Sequence, residues 1–387
     1  MRSAEVVIIG GGVVGASAAY HLAARGCRDV LVLDRGRGPG AGSTGRATGG
    51  FRTQFGTKVN VLLSLLSLDK LRDFPEEHGV DPCFRQHGYL FLASTQRELE
   101  ALRAAREVQR GCGMLEGRAV GPEEAARLNP AVNVEGIVGG SFCPIDGFVR
   151  PLEILRGYAE SAARLGARFE YGAEVLDFRR GKGGRLASVI TEGGEVACGL
   201  VVNAAGAWAA SVAALAGQGL PVAPLRRQVA LTRPCDLLPE EMPMTVFTED
   251  GFHLRVRDGR VLLLWPDEPR GPDPFDTATE DEWLAAVESK ARRRLPCLAA
   301  AEIDRAGCWA GLYEMTPDKH ALLGRAPGVE NLFLANGSSG HGVMHAPALG
   351  HLLAEIILDG AASTLDVRAL RPERFAEGDP NPAPDFL

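Results

Sequence analysis

The residues with the most recognisable chemistry are three glycines near the start of the chain and an aspartate that follows them. Gly10, Gly12 and Gly15 form the pattern G-x-G-x-x-G, and Asp34 lies about twenty residues further on. In this pattern the first glycine permits a tight turn, the second lets the backbone approach a pyrophosphate, and the third lets a helix pack on a strand. Free N–H groups at the helix N-terminus then face the phosphates, and the acidic residue accepts hydrogen bonds from ribose hydroxyls. The spacing therefore predicts a dinucleotide site.

The elements around these residues are those that such a site needs. Residues 6–9 form a short β-branched apolar run, an alanine-rich helical pattern continues to about Arg25, and residues 30–33 form a second apolar run. The order of strand, turn, helix and strand favours a dinucleotide-binding fold over a buried glycine-rich turn in an unrelated α/β domain. This order of elements does not distinguish an FAD site from an NAD site. Arg35 also keeps open a dinucleotide that carries a 2′-phosphate.

Length and charge limit the other functions that the chain could have. Its 387 residues and 45% hydrophobic content predict two domains with a sizeable core. A net charge of −7 argues against nucleic acid as a partner, so local Arg or Lys residues must bind any anionic substrate. Eight scattered cysteines indicate reduced thiols and a cytoplasmic protein with no metal site. We also expect no membrane span.

Three further segments are rich in small residues. Residues 35–51 have the composition of a flexible loop, but their place after the second strand puts Ser43 and Thr44 beside the cofactor phosphates. The apolar run 199–210 ends in Ala-Ala-Gly, which indicates either a turn close to a bulky group or an ordinary strand end. The glycines at 337–342 precede a helix expected from about residue 347, and they indicate close approach to a ligand.

The remaining patterns predict a second domain. Strands are expected at 84–93 and 136–143, and the helix–strand alternation returns between 151 and 191. From residue 222 the pattern is antiparallel, with a hairpin whose Asp258-Gly259 pair is typical of a type I′ turn. After residue 365 the composition indicates a loose surface tail.

With these pieces in place, the chain resembles the FAD-dependent amine oxidoreductases of the D-amino-acid oxidase superfamily. It is most similar to the branch of sarcosine oxidase β subunits, dimethylglycine dehydrogenase, glycine oxidase and the L-proline dehydrogenase β subunit. The resemblance is carried by VVIIGGGVVG with Asp34, GSTGRATGGFRTQF, VVNAAGAWA, WAGLYEMTPDKHALLG and GSSGHGVMHAPALGHLLAEIILDG.

The resemblance implies an α/β fold in which a discontinuous, Rossmann-like FAD-binding domain carries an inserted α+β, mostly antiparallel substrate domain. We assign 1–82, 145–218 and 308–365 to the first domain, 83–144 and 219–307 to the second, and 366–387 to the tail. The residues that the resemblance implies for FAD binding are Gly10, Gly12, Val13, Val14, Gly15, Asp34, Arg35, Gly42, Ser43, Thr44, Val175, Ala204, Ala205, Gly206, Trp208, Gly311, Gly337, Ser339, Gly340, His341, Gly342, Val343 and Met344.

Three residues are the catalytic candidates. Arg52 matches an arginine near the substrate carboxylate in sarcosine oxidases, where a guanidinium gives a bidentate contact that lysine cannot copy. The alternative is a surface arginine in a polar loop. Tyr313 and His341 either shape the amine end of the pocket or are structural.

The chain also departs from that pattern. Gly311 stands where monomeric sarcosine oxidases tether FAD through cysteine, so we expect non-covalent FAD. Met344 replaces a lysine that contacts the carboxylate. Leu263, or Leu264 with a one-residue shift, replaces the lysine that promotes reoxidation by oxygen, which favours a dehydrogenase.

The resemblance implies oxidation of the C–N bond of a small, N-methylated or cyclic amino acid, by hydride transfer to flavin N5 and formation of an imine. The electron acceptor is then a protein partner or oxygen, and a homo- or hetero-oligomer is compatible with this function. Two alternatives stay open: a flavoprotein subunit that relays electrons without turnover, and an NAD(P) dehydrogenase, whose fold has no need of the C-terminal glycine loop.

Overall fold

The computed structural model describes residues 2–267 and 272–382. Its strands are β1 (Arg2–Ile9), β2 (Val30–Asp34), β3 (Gly50–Phe51), β4 (Tyr89–Ala93), β5 (Arg118–Val120), β6 (Gly139–Cys143), β7 (Gly147–Phe148), β8 (Arg168–Tyr171), β9 (Val175–Arg180), β10 (Leu186–Thr191), β11 (Gly194–Asn203), β12 (Ala223–Leu231), β13 (Met244–Phe247), β14 (His253–Arg257), β15 (Arg260–Leu264), β16 (Trp309–Met315), β17 (Leu322–Arg325) and β18 (Leu332–Asn336). Its α-helices are α1 (Val13–Ala24), α2 (Ser43–Arg46), α3 (Lys58–His78), α4 (Gln96–Gly111), α5 (Pro122–Leu128), α6 (Pro151–Arg164), α7 (Ala209–Leu215), α8 (Asp281–Arg294) and α9 (Gly342–Asp359).

The first sheet has the strand order β17-β18-β11-β1-β2-β8, with β10 and β9 extending from β11. The strands β18, β11, β1, β2 and β8 run parallel to one another. Their carboxyl ends therefore meet at one edge, where ligands bind in open α/β sheets. That edge carries Gly10 after β1, Asp34 at the end of β2, Ala204 after β11 and Gly337 after β18. Stretches far apart in sequence are thus brought to one place.

Helices cover one face of this sheet. The apolar side chains of α1, α3, α6 and α9 pack with Val6, Ile8, Val30 and Val32 in one core, while the alternate residues of the same strands pack with β9, β10 and α7 on the other face. Helices α1 and α9 approach so closely that a Cβ at Gly350 would lie 2.2 Å from Ser17 Oγ. This contact fixes the two helix N-termini relative to each other.

The second sheet has the order β16-β12-β15-β14-β13-β4-β6-β5 and is antiparallel except for the pair β13 and β4. Helix α8 packs on it through Trp283, Leu284 and Val287. The turn between β14 and β15 has positive φ at both Asp258 (56°) and Gly259 (65°), as the type I′ prediction requires. The α/β class with a largely antiparallel second sheet is the one that the sequence predicts.

The structure differs from the expected segmentation at β16. The range 308–365 was expected in the FAD-binding domain, but β16 pairs along its whole length with β12 of the second sheet, from Ala223 opposite Met315 to Val229 opposite Trp309. The physical reason is that β16 pairs with the backbone N–H and C=O groups along the edge of β12, which would otherwise be unpaired. Since β17 and β18 of the first sheet follow β16 in the chain, β16 connects the two sheets.

Two expectations about the C-terminal region are wrong. Helix α9 begins at Gly342, not near Pro347, and it accommodates Pro347 in its interior. The tail is a surface segment, but it is anchored rather than loose: Arg374 is fully buried and donates to both carboxylate oxygens of Asp318, and Asn381 also donates to Asp318. These bonds fix the tail on the protein. The last five residues, 383–387, lie outside the described ranges.

Within the described residues, no helix combines the length and the apolar character that a membrane crossing needs. In the same ranges no group of three or more His, Cys, Asp or Glu side chains is placed to hold a metal ion.

Candidate active site

A cavity of about 590 Å³ crosses the carboxyl edge of the first sheet and continues to the second sheet. This volume lies in the range of cofactor and substrate sites, which is about 300–1,000 Å³. The expected site residues that line it are Gly10, Gly12, Val13, Val14, Asp34, Arg35, Gly42, Ser43, Thr44, Val175, Ala204, Ala205, Gly206, Trp208, Gly311, Tyr313, Gly340, Gly342, Val343 and Met344.

The phosphate end of the cavity depends on close backbone contacts. A Cβ at Gly10 would lie 2.2 Å from the carbonyl oxygen of Ala204, and Gly10 has a φ of +106° that L side chains rarely adopt. The start of α1 faces this space, and the backbone N–H of Val13 donates to Thr44 Oγ1 at 3.1 Å. The Ser43 hydroxyl is already used, because it donates to the carbonyl of Leu312 at 2.7 Å. Of the two expected hydroxyls, Thr44 keeps its proton available for a phosphate.

Asp34 holds the turn that surrounds it. One carboxylate oxygen accepts from the backbone N–H of Gly11 and the other from that of Gly36, both at 2.6 Å. Each oxygen retains a second lone pair, so the same side chain can accept from a ribose hydroxyl. Arg35 lies 4.8 Å from the ring centre of Trp208, which in turn stacks on Phe275. This aromatic stack closes the ribose end of the cavity.

Some of the expected cofactor residues do not line the cavity. A Cβ at Gly15 would lie 1.9 Å from the carbonyl oxygen of Gly10, so Gly15 serves helix packing. Gly337 packs against Thr316, and the Ser339 hydroxyl accepts from the Thr316 N–H and donates to the Gly337 carbonyl. Gly337 and Ser339 thus shape the loop before α9 instead of facing the cavity. His341 also lies outside the lining and contacts Arg52.

The lining fits FAD in both shape and charge. The cavity is long, and the two helix N-termini of α1 and α9 open onto it. Arg35, Arg46 and Arg227 are the cationic side chains of its described lining, and their charge is opposite to that of a pyrophosphate. The described lining contains neither cysteine nor histidine, which are side chains that can tether a flavin covalently.

Arg52 follows β3 and lies in a partly buried polar region beside the cavity. Its Nη1 atom donates to the Gln54 carbonyl, its Nη2 atom lies 3.2 Å from His341 Nε2, and its guanidinium stands 3.9 Å from the ring centre of Phe55. Burial lowers the pKa of Arg52 to about 10. No carboxylate in the described ranges forms an ion pair with it. The site therefore holds a half-buried cation that forms no ion pair with a carboxylate of the described residues.

His341 and Tyr313 lie on either side of the glycine loop. Burial, with the nearby charge of Arg52, holds the pKa of His341 well below its ordinary value, so its neutral ring can accept from the guanidinium. A Cβ at Gly340 would lie 2.5 Å from Tyr313 Cε2, so only glycine lets this ring pack against the loop. His341 thus approaches the cavity from the start of α9, and Tyr313 approaches it from β16.

Sequence reasoning missed the residues that hold Arg52 in place. Asp146 is fully buried and accepts from the Thr53 N–H at 2.6 Å, from the Thr53 hydroxyl at 2.7 Å and from Gln54 Nε2 at 3.0 Å. Burial raises its pKa to about 6 against the effect of these hydrogen bonds and of the Arg52 charge. Tyr89 is also buried nearby, and its hydroxyl occupies the space where a Cβ at Gly50 would lie. A lone aspartate between two short strands gives no sequence signal for this role.

Two other arginines that could have bound the carboxylate are engaged elsewhere. Arg226 forms ion pairs with Asp276 and Glu280. Arg255 donates to the Thr48 carbonyl at 2.9 Å and stacks on Phe148. On the neighbouring strand, Leu264 lines the cavity whereas Leu263 packs in the core beneath α8. Of the two leucines, Leu264 is therefore the one that faces the cavity.

Comparisons with known proteins agree with this geometry. Residues 5–356 match the family model described as FAD dependent oxidoreductase (DAO). The chain is 31% identical to FAD-dependent oxidoreductase domain-containing protein 1 of Xenopus laevis, over 97% of this chain and 83% of that protein. It is 32% identical to the crystal structure of L-proline dehydrogenase from P. horikoshii, with a TM-score of 0.91 over 98% of this chain and 100% of that one. Glycine oxidase from Geobacillus kaustophilus is 26% identical, with a TM-score of 0.84 over 97% and 99% of the two chains.

Proposed function

This chain belongs to the DAO family of FAD-dependent oxidoreductases, and on that premise we propose that it oxidises the C–N bond of a small amino acid, or of an N-methylated or cyclic amino acid, to an imine. FAD, when bound, is the oxidant that accepts the hydride leaving the carbon next to nitrogen. The protein's own residues bind and orient the substrate beside it.

One observation carries this proposal: Arg52 is a half-buried cation without a carboxylate partner in the described part of the chain. An unpaired buried charge is costly, and a substrate carboxylate would supply the missing partner. Because guanidinium and carboxylate match in geometry, the contact would be bidentate and would fix the substrate's orientation as well as its position.

The neighbouring side chains support the same arrangement. Neutral His341 accepts from Arg52 and so holds the guanidinium without competing with an anionic substrate. Phe55 and Tyr313 add aromatic surface on either side of this polar contact. An amino acid held by its carboxylate then directs its amine-bearing carbon toward the cavity. Such positioning accounts for much of the rate enhancement when a cofactor performs the chemistry.

Among the candidate substrates, L-proline is the first to test. The chain has 32% identity and nearly complete mutual coverage with a structure described as L-proline dehydrogenase. Sarcosine, dimethylglycine and glycine follow, since each also offers a carboxylate beside an amine. Met344 at the cavity supplies no cation, so the proposal leaves the substrate carboxylate to Arg52 without a second contact at that position.

We further infer that the enzyme acts as a dehydrogenase rather than as an oxidase. The resemblance implies a lysine that promotes reoxidation by oxygen, and the leucine that lines the cavity in this region, Leu264, is apolar. Reoxidation by oxygen passes through superoxide, and an apolar neighbour gives that anion no electrostatic stabilisation. A protein acceptor would then take the electrons. A cytoplasmic location is part of the same proposal, and the eight free cysteines are compatible with it.

The rival function is an electron-relay subunit that holds FAD without substrate turnover. Anaerobic mixing of the yellow holoprotein with L-proline, sarcosine, dimethylglycine, glycine and D-amino acids separates the two. Loss of the oxidised flavin absorbance with at least one amino acid is the expected result. A flavin that is reduced by dithionite but by no amino acid would support the relay function instead.

A further inference from the structure

Glu314 on β16 is a carboxyl group that the proposed function leaves without a role. It lines the cavity, and its Oε1 atom accepts from the backbone N–H of Ser338 at 3.2 Å. Its Oε2 atom is inaccessible to solvent and has no hydrogen-bond partner among the described residues. A buried polar atom without a partner costs about 1–3 kcal/mol, so such an atom at a cofactor cavity points to a ligand contact.

A second unpartnered atom lies next to it. Ser338 is 4% exposed, also lines the cavity, and its hydroxyl makes no well-aligned hydrogen bond within the described ranges. Both side chains stand at the first turn of α9, because a Cβ at Gly342 would lie 3.6 Å from Ser338 Oγ and 3.9 Å from Glu314 Oε1. Two adjacent polar groups are thus left free on one wall of the same cavity.

Their position identifies the part of FAD that they face. Asp34 and Arg35 line the cavity at the carboxyl end of β2, which is the ribose end of a dinucleotide fold. Glu314 and Ser338 line it where β16 of the second sheet meets the start of α9. FAD bound with its adenosine at Asp34 and its pyrophosphate at the turn after β1 places its ring system toward this far end. The polar atoms of that ring system lie along its pyrimidine edge.

The surroundings of Glu314 determine which groups its carboxyl oxygens contact. No Lys, Arg or His in the described residues forms an ion pair with it. Burial raises the pKa of Glu314, and the backbone N–H groups of Ser338 and Gly337 oppose this rise. Its free Oε2 atom is therefore a polar atom at the cavity that only a bound group can satisfy.

We propose that Glu314 forms a hydrogen bond through its Oε2 atom with the flavin ring system of bound FAD, and that the Ser338 hydroxyl contributes a second hydrogen bond. Glu314 therefore acts on the cofactor and not on the amino acid. Its contribution is to bind and orient the flavin ring system beside the N-terminus of α9.

The test uses FAD alone and no amino-acid substrate, so it is independent of the proposed substrate class. The variants are Glu314→Gln, Glu314→Ala and Ser338→Ala, with Glu288→Gln on the surface of α8 as the matched control. The readouts are the Kd of FAD for the apoprotein, the visible spectrum and the midpoint potential of the flavin. The Tm of each apoprotein reports any damage to the fold.

Glu314→Ala should weaken FAD binding about tenfold and shift the flavin spectrum, and Ser338→Ala should weaken binding by a smaller factor. Glu314→Gln should bind FAD more tightly than Glu314→Ala, because the amide keeps a polar group of the same shape that can form the hydrogen bond. The control should match the wild type throughout.

Two results would overturn the proposal. FAD binding in Glu314→Gln as weak as in Glu314→Ala would mean that the hydrogen bond of this side chain does not determine the affinity. Wild-type Kd and spectrum in Glu314→Ala would mean that Glu314 does not contact FAD. If Glu314→Ala does not fold, the spectrum and midpoint potential of Glu314→Gln decide: values equal to those of the wild type would overturn the proposal, since exchange of a carboxyl group for an amide at the flavin must change at least one of them.

Discussion

The Nη2 atom of Arg52 lies 3.2 Å from Nε2 of His341, and this contact joins residues 289 positions apart in the chain. Arg52 follows a short strand of the N-terminal region, whereas His341 is the N-cap residue of α9. The neutral imidazole can accept only where the guanidinium donates, so each side chain fixes the other. The proposed substrate clamp is thereby tied to the helix whose first turn lines the cofactor cavity.

Asp146 should control the activity at acidic pH. Its carboxylate holds Thr53 and Gln54, and its pKa of about 6 means that it takes a proton as the pH falls through that value. One acceptor is then lost and the segment after Arg52 loosens, so we expect kcat/KM to fall below about pH 6. In Asp146→Asn this acidic decrease should be absent, and kcat/KM at alkaline pH should be about tenfold lower.

The same pKa gives the sign of the stability effect. Because the folded pKa of Asp146 is above its ordinary value of 3.8, its protonation stabilises the folded state, and this stability is lost as the pH rises through about 6. Acid should therefore reduce kcat/KM without unfolding the protein through this group. A pH profile of kcat/KM measured together with the Tm checks both statements. An unchanged acidic decrease in Asp146→Asn would assign it to another group.

FAD should bind non-covalently. Gly311, which the resemblance to monomeric sarcosine oxidases matches to their tethering cysteine, lines the cavity, and the described lining has no cysteine or histidine. Acid or heat precipitation should therefore release the yellow colour into the supernatant, where its absorbance can be measured. Colour that remains with the pellet would show a covalent bond formed by another residue.

Local motifs accounted for those parts of the site that neighbouring residues determine. The turn at Gly10 and the acid at Asp34 are set by one strand–helix–strand unit, and the Asp258-Gly259 turn depends on two residues alone. Asp146 could not be found in this way, because its role depends on packing against Thr53, 93 positions away. The same holds for Glu314, whose free oxygen appears only when β16 and α9 are placed together.

The predicted domain boundaries differ from the structure at β16, because the sequence of a strand does not identify the strand with which it pairs. The pattern of β16 predicts a strand but not the sheet to which it belongs, and only its pairing with β12 determines that. The anchoring of the tail was missed because its polar composition is that of an exposed segment, and only the fold brings Asp318 to Arg374.

Oxygen should reoxidise the reduced flavin slowly, and Leu264→Lys should accelerate this step by at least about tenfold. Leu264 lines the cavity, so a lysine there would bring a positive charge to the place where superoxide forms. Leu264→Met is the matched control without charge. Stopped-flow mixing of reduced enzyme with oxygenated buffer measures the rates. Wild-type reoxidation as fast as turnover with an artificial dye would make the protein an oxidase.

Removal of Arg374 should destabilise the protein by about 3–5 kcal/mol, because the buried carboxylate of Asp318 loses its partner. Arg368→Ala is the control, since Arg368 is exposed and its ion pair with Asp366 is screened by solvent. Burial opposes the ionisation of Asp318, but the hydrogen bonds and charge of Arg374 lower its pKa to about 2.

The lowered pKa of Asp318 predicts how the stability difference between the wild type and Arg374→Ala depends on pH. The stabilisation is fully present above the ordinary pKa of 3.8 and is lost as the pH falls through about 2. The Tm of Arg374→Ala should thus lie well below that of the wild type at neutral pH, and the gap should narrow in strong acid. Equal Tm values at neutral pH would show that the tail does not stabilise the protein.

The central claim is that Arg52 binds the carboxylate of an amino-acid substrate, and the rate of anaerobic flavin reduction tests it most directly. The substrate that reduces the wild type fastest is compared with its carboxamide in the wild type, in Arg52→Ala and in the exposed control Arg150→Ala. Loss of a bidentate contact worth about 2–4 kcal/mol predicts that Arg52→Ala loses about a hundredfold or more in efficiency toward the acid. The wild type and the control should prefer the acid strongly, whereas Arg52→Ala should no longer distinguish acid from amide. Reduction of Arg52→Ala by the acid at the wild-type rate, with normal FAD content, would contradict the claim.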